Sequence, residues 1–501
     1  MVVAFILVHE RVKIRESQNN FSLYFSDVED VLEMKTEGFT KDAAIKLIQE
    51  KNIKIINLCH IPEDCRLKTL SFTVKNRERL HEILEFGERV DGSSLFSYID
   101  PNKSDVYIMP KMESTFVNPF SSMPTLNILC EYLDENGDPL DIAPENILLR
   151  AEEKMRSSTD ITLKALAELE FYLIYKQEET GFLGVSERNY HESTPFAKFE
   201  NFRNEVLITL EDVGVATKYG HAEVGRFHSK TGYVMEQHEI EFLPQNLAKM
   251  AEIITIAKWI IRNISARYGV SVSFAPKPAL EHAGNGMHIH LCALKKSNNI
   301  IADSKGDLTT EAKQMIGGIL KFAPSLTAFG NTIPVSYLRF ISRKEAPMYI
   351  CWGTKNRLAL IRIPLWWNFR KNFRDSCRRT FEFRAPDLSA NPYLLLAGIA
   401  VAVEYGLKNP EKAMKIADDL NAENMVKRNK KYRVLPLSCV EAAENLKRDR
   451  KYYEADGVFP ERVIDGIIEK LESYKDRDLW KKLADKPEKI EDLLCKYLYY
   501  G

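Results

Sequence analysis

The run Leu166-Ala-Glu168-Leu-Glu170-Phe-Tyr-Leu173 sets two carboxylates two residues apart in an otherwise apolar segment. The apolar flanks specify a strand, on which residues i and i+2 share a face. Glu168 and Glu170 therefore point the same way. The pattern recurs. Met287-His288-Ile-His290-Leu291 puts two imidazoles on one face, just after Gly284-Asn285-Gly286. Gln237-His238-Glu239-Ile240-Glu241-Phe242 does the same with Glu239 and Glu241, and Glu223 follows His221 in Gly220-His-Ala-Glu-Val224. Phe381-Glu382-Phe-Arg384-Ala-Pro386 pairs a carboxylate with a guanidinium. Taken singly, each segment also fits an exposed strand face or a hydrogen-bonded core histidine. Several together fit one curved sheet with a charged concave face. Carboxylates converging there would repel one another unless cations sat between them. Oxygen-rich ligation with one or two imidazoles suits Mg²⁺ or Mn²⁺ better than zinc. Such cations bridge nucleotide phosphates in phosphoryl transfer.

Arginines complete the pattern. Arg339 lies in Ser336-Tyr-Leu-Arg-Phe340, and Arg357 and Arg362 lie in Asn356-Arg-Leu-Ala-Leu-Ile-Arg-Ile-Pro364. Guanidinium forks bind carboxylates and phosphates in a bidentate way, although surface salt bridges also use them. No Walker A segment, G-x-G-x-x-G or H-R-D motif is present. A nucleotide would therefore be held by metals and arginines, not by a Gly-rich phosphate cradle. Trp366, Trp367 and Arg370–Arg379 form a basic-aromatic stretch that reads as a solvated loop and not as a nucleic-acid contact.

The elements that must carry these residues divide the chain. Its 501 residues exceed one small domain. Residues 1–40 are an extension in which Met1–Val8 reads as a strand. Thr40 caps a helix over Ala43–Lys51, and strand-like pieces follow at Ile53–Leu58, Thr69–Val74, Val106–Met109 and Leu126–Leu133. Residues 41–143 thus read as a small α+β domain. From Pro144 strands and helices alternate, Ala248–Tyr268 is a long amphipathic helix, and 410–500 is mostly helical. Residues 144–501 form the larger domain, which holds most of the polar motifs.

Composition excludes several function classes. Lys plus Arg is 70 and Asp plus Glu is 71, a formal net charge of −1 that favours neither nucleic acid nor an anionic membrane. The eight cysteines form no C-x-x-C pair, which argues against a zinc ribbon and fits a reducing compartment. No stretch reaches the ~18–20 apolar residues of a membrane span. The expected protein is soluble and cytoplasmic.

With those motifs in place, the chain resembles the glutamine synthetase family over about 40–410. Val90-Asp91-Gly92-Ser93-Ser94 resembles a loop that reaches a neighbouring subunit's site, and Ser104–Pro110 the strand after it. The resemblance implies an α+β fold: an N-terminal β-grasp domain followed by a catalytic domain with a curved antiparallel sheet and surrounding helices. It implies Glu168, Glu170, Glu223, Glu239, His288 and Glu382 as ligands of two or more Mg²⁺ or Mn²⁺ ions. Asp91, Arg339 and the flap residue Glu345 are implied as catalytic. Gly284, Arg339, Glu345, Arg357 and Arg384 would bind substrate, and His290, Cys292, Arg357 and Arg362 would bind ATP. The implied reaction joins ammonia to the γ-carboxylate of glutamate through a γ-glutamyl phosphate, with ATP consumed. The implied assembly is a homo-oligomer of stacked rings, a dodecamer, with sites shared between neighbours. Two other readings stay open: a γ-glutamyl-amine ligase using a polyamine or small amine, and a catalytically silent ring protein. This sequence departs from the family pattern in places. Glu223 and Glu239 are sixteen apart with Arg226–Met235 inserted, 365–378 is a longer loop, and Lys344 replaces a tyrosine before Glu345.

Overall fold

The computed structural model describes residues 40–177, 184–229, 232–342, 346–366, 377–428, 431–483 and 485–501. Met1–Val8, Arg343–Glu345 and most of the basic-aromatic stretch, 367–376, lie outside the described residues.

The Thr40 hydroxyl accepts from the Ala43 amide at 3.2 Å and starts the helix Lys41–Glu50, whose Ala43, Ala44, Ile45, Leu47 and Ile48 are buried. The strands β1 (Ile55–His60), β2 (Lys68–Thr73), β3 (Glu88–Asp91), β4 (Asp105–Val117) and β5 (Thr125–Leu133) form a five-stranded sheet in the order β2-β1-β5-β4-β3. β1 runs parallel to β5, and the other pairs are antiparallel. An irregularity in β4 between Pro110 and Thr115 presents Lys111 to the helices of the larger unit. Its ammonium lies 2.6 Å from Glu252 and also pairs with Glu145, so one buried cation joins this sheet to the helices Pro144–Thr159 and Leu247–Arg267.

The second sheet is built from β6 (Thr162–Lys176), β7 (Thr217–His228), β8 (Tyr233–Phe242), β9 (Gln245–Asn246), β10 (Ser271–Ser273), β11 (Met287–Lys295), β12 (Asn298–Asn299), β13 (Tyr349–Thr354), β14 (Ala359–Ile363) and β15 (Phe381–Phe383). Its main path is β13-β14-β15-β11-β6-β8-β7, curved and antiparallel except for the β13/β14 pair. Of the stretch Arg226–Met235, Arg226–His228 close β7 and Tyr233–Met235 open β8.

Helices pack around this sheet. Thr310–Gly330 and Pro392–Lys408 are buried along most of their length, and a Cβ on Gly318 would stand 2.1 Å from the Ala402 carbonyl. Glycine there permits backbone contact between the two helices. The stretch after Asn409 is helical, including Pro410–Asp419, Cys439–Tyr453 and Glu461–Ser473. Among the described residues, no helix is long and apolar enough to cross a membrane.

Candidate active site

Strand register gathers the charged side chains. β6 lies between β11 and β8: Glu168 faces His288 on one side and Glu241 on the other, and Glu170 faces Glu239. One strand further out, His290 faces Glu382 and Glu239 faces His221, while Arg362 of β14 faces Glu382. Directly opposed residues share a face, so this face carries the whole set. The alternate positions Glu236 and His238 fall on the other face, where the Arg203 guanidinium meets the His238 ring at 3.0 Å.

Glu223 arrives by an irregularity. β7 gains two residues against β8 between Ala222 and Arg226, and Glu223 lies in this bulge, its carboxylate 3.7 Å from His221 Nδ1. The bulge requires Gly225, because a Cβ there would stand 1.9 Å from the Tyr172 hydroxyl. The Gly225 amide instead donates to Gln237 Oε1 at 3.0 Å.

The set separates into two halves. In the first, Glu168 Oε2 is 2.8 Å from His288 Nδ1 and Glu168 Oε1 is 2.7 Å from His290 Nε2. Glu382, fully buried, lies 3.5 Å from His288 and 4.0 Å from His290, accepts from Arg362 Nη1 at 2.9 Å and pairs with Arg384. Burial would raise the Glu168 carboxyl, but the His290 and His288 imidazoles hold it well below the usual carboxylate range. For Glu382 burial is likewise outweighed, chiefly by Arg384. In the second half, His221 Nε2 stands 3.6 Å from Glu239. Burial and the carboxylates of Glu168, Glu170, Glu223 and Glu241 push the Glu239 carboxyl well above its ordinary value. Burial and Glu168 also raise Glu241, although Lys218 pairs with it.

Donor atoms of Glu168, His290 and Glu382 lie within 4.8 Å of one another, as do those of His221, Glu239 and Glu241. Carboxylate oxygens with imidazoles suit hard divalent cations. Beyond Lys218, added positive charge would relieve the repulsion among the carboxylates of the second half, and a hard divalent cation would supply it.

The substrate-side residues follow. The Gly286 amide donates to Glu170 Oε2 at 2.7 Å, and Arg339, 3% exposed, donates to the carbonyls of Ala385 at 2.8 Å and Pro386 at 3.3 Å. Arg339 Nη2 also reaches His288 at 3.5 Å, and Gly284 packs against its aliphatic part. Cys292 is buried two residues beyond His290 on the same face of β11. Arg357 is exposed, with its guanidinium 5.9 Å above the Tyr190 ring, and that ring meets His221 edge-on at 5.3 Å. Asp91 stands apart. It is exposed at the end of β3, and its carboxylate accepts from the Ser93 amide at 3.0 Å and from the Ser93 and Ser94 hydroxyls at 2.7 Å. Among the described residues none of its hydrogen bonds reaches the sheet cluster, and Glu345 is not described.

Two contributors escaped sequence reasoning. Gln237 Nε2 donates to the Gly284 carbonyl and Asn285 Oδ1 at 3.1 Å and to Glu170 Oε2 at 3.3 Å, tying the glycine loop to the sheet. Its alternation with Glu239 and Glu241 was the available signal. Thr380 Oγ1 shares a 3.0 Å hydrogen bond with His290 Nδ1, fixing that ring, and nothing in its local sequence marks it.

A Cβ at Gly286 would stand 2.5 Å from Arg339 Nη2 and 2.7 Å from His288 Nε2. Gly286→Ala is therefore expected to displace both groups and lower kcat/KM by about 10- to 100-fold. Thermal unfolding should change little, because the obstructing atoms are side-chain ends. Steady-state kinetics beside a melting curve checks this, and unchanged kinetics would contradict the crowding.

The fold and the donor set define the class: an α+β protein whose curved sheet offers an oxygen-rich, imidazole-bearing face to hard divalent cations. The chain matches the family model described as glutamine synthetase, catalytic domain, over residues 141–491 and that described as glutamine synthetase, beta-Grasp domain, over 52–135. The glutamine synthetase of Rhizobium meliloti (strain 1021) is 30% identical over 465 residues, covering 86% of this chain and 94% of that protein. That of Methylococcus capsulatus is 31% identical over 473 residues, covering 86% and 95%. A cryo-EM structure of Plasmodium falciparum glutamine synthetase superposes with a TM-score of 0.72 at 20% identity, covering 92% of this chain and 98% of that one. A GmaS–ADP complex superposes at 0.69 and 19% identity, covering 86% and 95%. At those identities the two structures speak for the fold. The chain belongs to the glutamine synthetase family and is a ligase of that family, whose members use divalent metals and ATP.

Proposed function

We propose that this protein joins ammonia to the γ-carboxylate of glutamate, consuming ATP and passing through a γ-glutamyl phosphate. The observation that carries the reading is the contrast between the two halves of the site: Glu168 and Glu382 are held down by imidazoles and guanidiniums against their burial, and Glu239 is pushed up by burial and by neighbouring carboxylates. Glu168, His288 and Glu382 would hold one cation, and Glu170, Glu223 and Glu239 another. Bound there, Mg²⁺ or Mn²⁺ would supply the positive charge that lets one anion attack another.

The remaining work falls to this chain's residues. Arg339, fixed by the Ala385 and Pro386 carbonyls, is preorganised for the substrate carboxylate beside the Gly284–Gly286 loop, with Arg384 next to it. Arg362 and Arg357 would take the transferring phosphoryl group, and His290 and Cys292 would line the nucleotide side. Attack by the γ-carboxylate oxygen on the γ-phosphorus breaks its bond to the ADP oxygen. Ammonia then attacks the acyl carbon, phosphate departs, and the surplus proton passes to a base. Asp91 would be that base. Within one chain its hydrogen bonds run to Ser93 and Ser94, which supports a site completed by a neighbouring copy in a ring. Glu345 would exclude water from the acyl phosphate as the flap closes.

Incubation of the protein with ATP, glutamate, Mg²⁺ and either ammonium or methylamine tests the acceptor. Glutamine, ADP and phosphate are expected in equal amounts with ammonium, and methylamine should support at most a minor rate. Preferential consumption of methylamine or a polyamine would favour a γ-glutamyl-amine ligase. Absence of ATP turnover with every acceptor would point to a catalytically silent member.

A further inference from the structure

β7 ends the main path of the larger sheet, and a strap of residues 185–191 runs along its outer edge. The strap amides pair with that edge: Glu187 donates to the Arg226 carbonyl at 3.2 Å, Asn189 to Val224 at 3.3 Å and His191 to Ala222 at 2.9 Å. The Asn189 side chain, 2% exposed, donates to the Glu223 carbonyl at 3.2 Å. The bulge between Ala222 and Arg226 interrupts the pairing of β7 with β8, so its carbonyls need donors from elsewhere. The strap supplies them, at Glu223 itself and on both sides of it.

Glu187 reaches further than the rest of the strap. Its backbone is left-handed, with a φ of 55°, a conformation that costs a residue with a side chain energy unless its surroundings hold it there. Contacts at both ends do so. The main-chain amide pairs with β7, and the half-buried carboxylate turns to the glycine loop. One of its oxygens accepts from the Ala283 amide at 3.0 Å, and the other lies 3.2 Å from His282 Nδ1. The His282 ring stacks on Phe227 of β7, with centroids 4.1 Å apart and planes 3° from parallel. Ala283 immediately precedes Gly284, and its carbonyl accepts from the Tyr172 hydroxyl at 2.9 Å. Glu187 thus bridges the strand that carries Glu223 and the loop Gly284–Gly286 that abuts Arg339, two segments far apart along the chain.

We propose that Glu187 is a positioning residue: it anchors the glycine loop to β7 and so sets the grip of that loop on the substrate. The inference rests on the function proposed above, in which the loop beside Arg339 receives glutamate. A carboxylate suits the task, because an ionised acceptor makes the stronger hydrogen bond to a backbone amide. Its length matters as much, since the side chain must span from the edge of β7 to Ala283. Its contacts are with main chain and with His282, so it acts on substrate binding and not on the chemical steps.

Steady-state kinetics of the full chain with glutamate varied, at saturating ATP, Mg²⁺ and ammonium, tests the proposal. Glu187→Ala should raise the glutamate KM about tenfold and change kcat by less than about threefold. Glu187→Gln, which keeps both length and acceptor, should recover most of that loss. A parental glutamate KM in Glu187→Ala would overturn the proposal, as would a glutamine variant no better than alanine. So would a fall in kcat at unchanged KM, which is how a merely structural residue lowers the active fraction. Should Glu187→Ala fail to fold, Glu187→Asp decides. Aspartate tolerates the left-handed backbone but falls short of Ala283, so a raised KM supports the role and a parental one removes it. Failure of the proposed function is read separately. With another amine as acceptor, the same comparison of KM is made with that amine. Without turnover, equilibrium dialysis with labelled glutamate replaces KM. A parent that binds no glutamate overturns the function and this role together, whereas equal binding by parent and Glu187→Ala overturns this role alone.

Discussion

Glu382→Gln is expected to lower kcat by about 10²- to 10³-fold while the chain remains folded. The carboxylate is fully buried and meets four partners: Arg362 at 2.9 Å, Arg384, His288 at 3.5 Å and His290 at 4.0 Å. Glutamine fills the same volume and still accepts from Arg362, so packing is kept. The negative charge is lost, and with it one anionic donor of the half-site formed with Glu168 and His290. The two guanidiniums then face the imidazoles without their counter-ion. Stability should fall by about 1–3 kcal/mol, since removing one partner of a buried pair leaves the other's charge uncompensated. Initial rates of ADP release with glutamate and ammonium, measured beside a melting curve, separate the two effects. Undiminished turnover in a folded variant would remove Glu382 from the ligand set.

Much of this site was legible along single strands and little of it between them. The i, i+2 spacing of Glu168 with Glu170, and of His288 with His290, is a local property of extended backbone. The elements around them were readable for the same reason: Thr40 capping its helix, the strand near Ile55–His60, and the long helix at Leu247–Arg267. Register is not local. His288 meets Glu168 across 120 residues, and which residues oppose is decided by hydrogen bonding between those distant segments. His221 and Glu241 therefore stood out only as strand-mates of other candidates, yet their donor atoms approach Glu239 within 4.8 Å. The bulge at Glu223–Gly225 exceeded sequence reasoning for a second reason. It depends on the space beside Tyr172 and Gln237, which only tertiary packing creates.

The electrostatic contrast between the halves leads to the opposite expectation for Glu239. Burial and four carboxylates raise its folded pKa, so the folded metal-free chain binds more protons here than the unfolded chain does. This group's contribution is most favourable below the unfolded value and is lost as pH rises through the folded one. Glu168 and Glu382, whose folded values are lowered, contribute in the opposite sense: their stabilisation is present above the unfolded value and is lost as pH falls. Glu239→Gln removes only the unfavourable part. At pH 8 without metal, the variant should be more stable than the parent by about 1–3 kcal/mol. The parent, by contrast, should gain about 2–3 kcal/mol when Mn²⁺ reaches roughly a hundred times its dissociation constant. At a pH below the raised folded value of Glu239, Mn²⁺ addition should also release protons from the parent, as the carboxyl gives way to the cation. The variant should lose most of both responses, together with activity. Melting curves with EDTA and with Mn²⁺, for both proteins, measure this directly. A variant less stable than the parent in EDTA, or one stabilised equally by Mn²⁺, would mean that crowding at Glu239 is not what prepares this face for a cation.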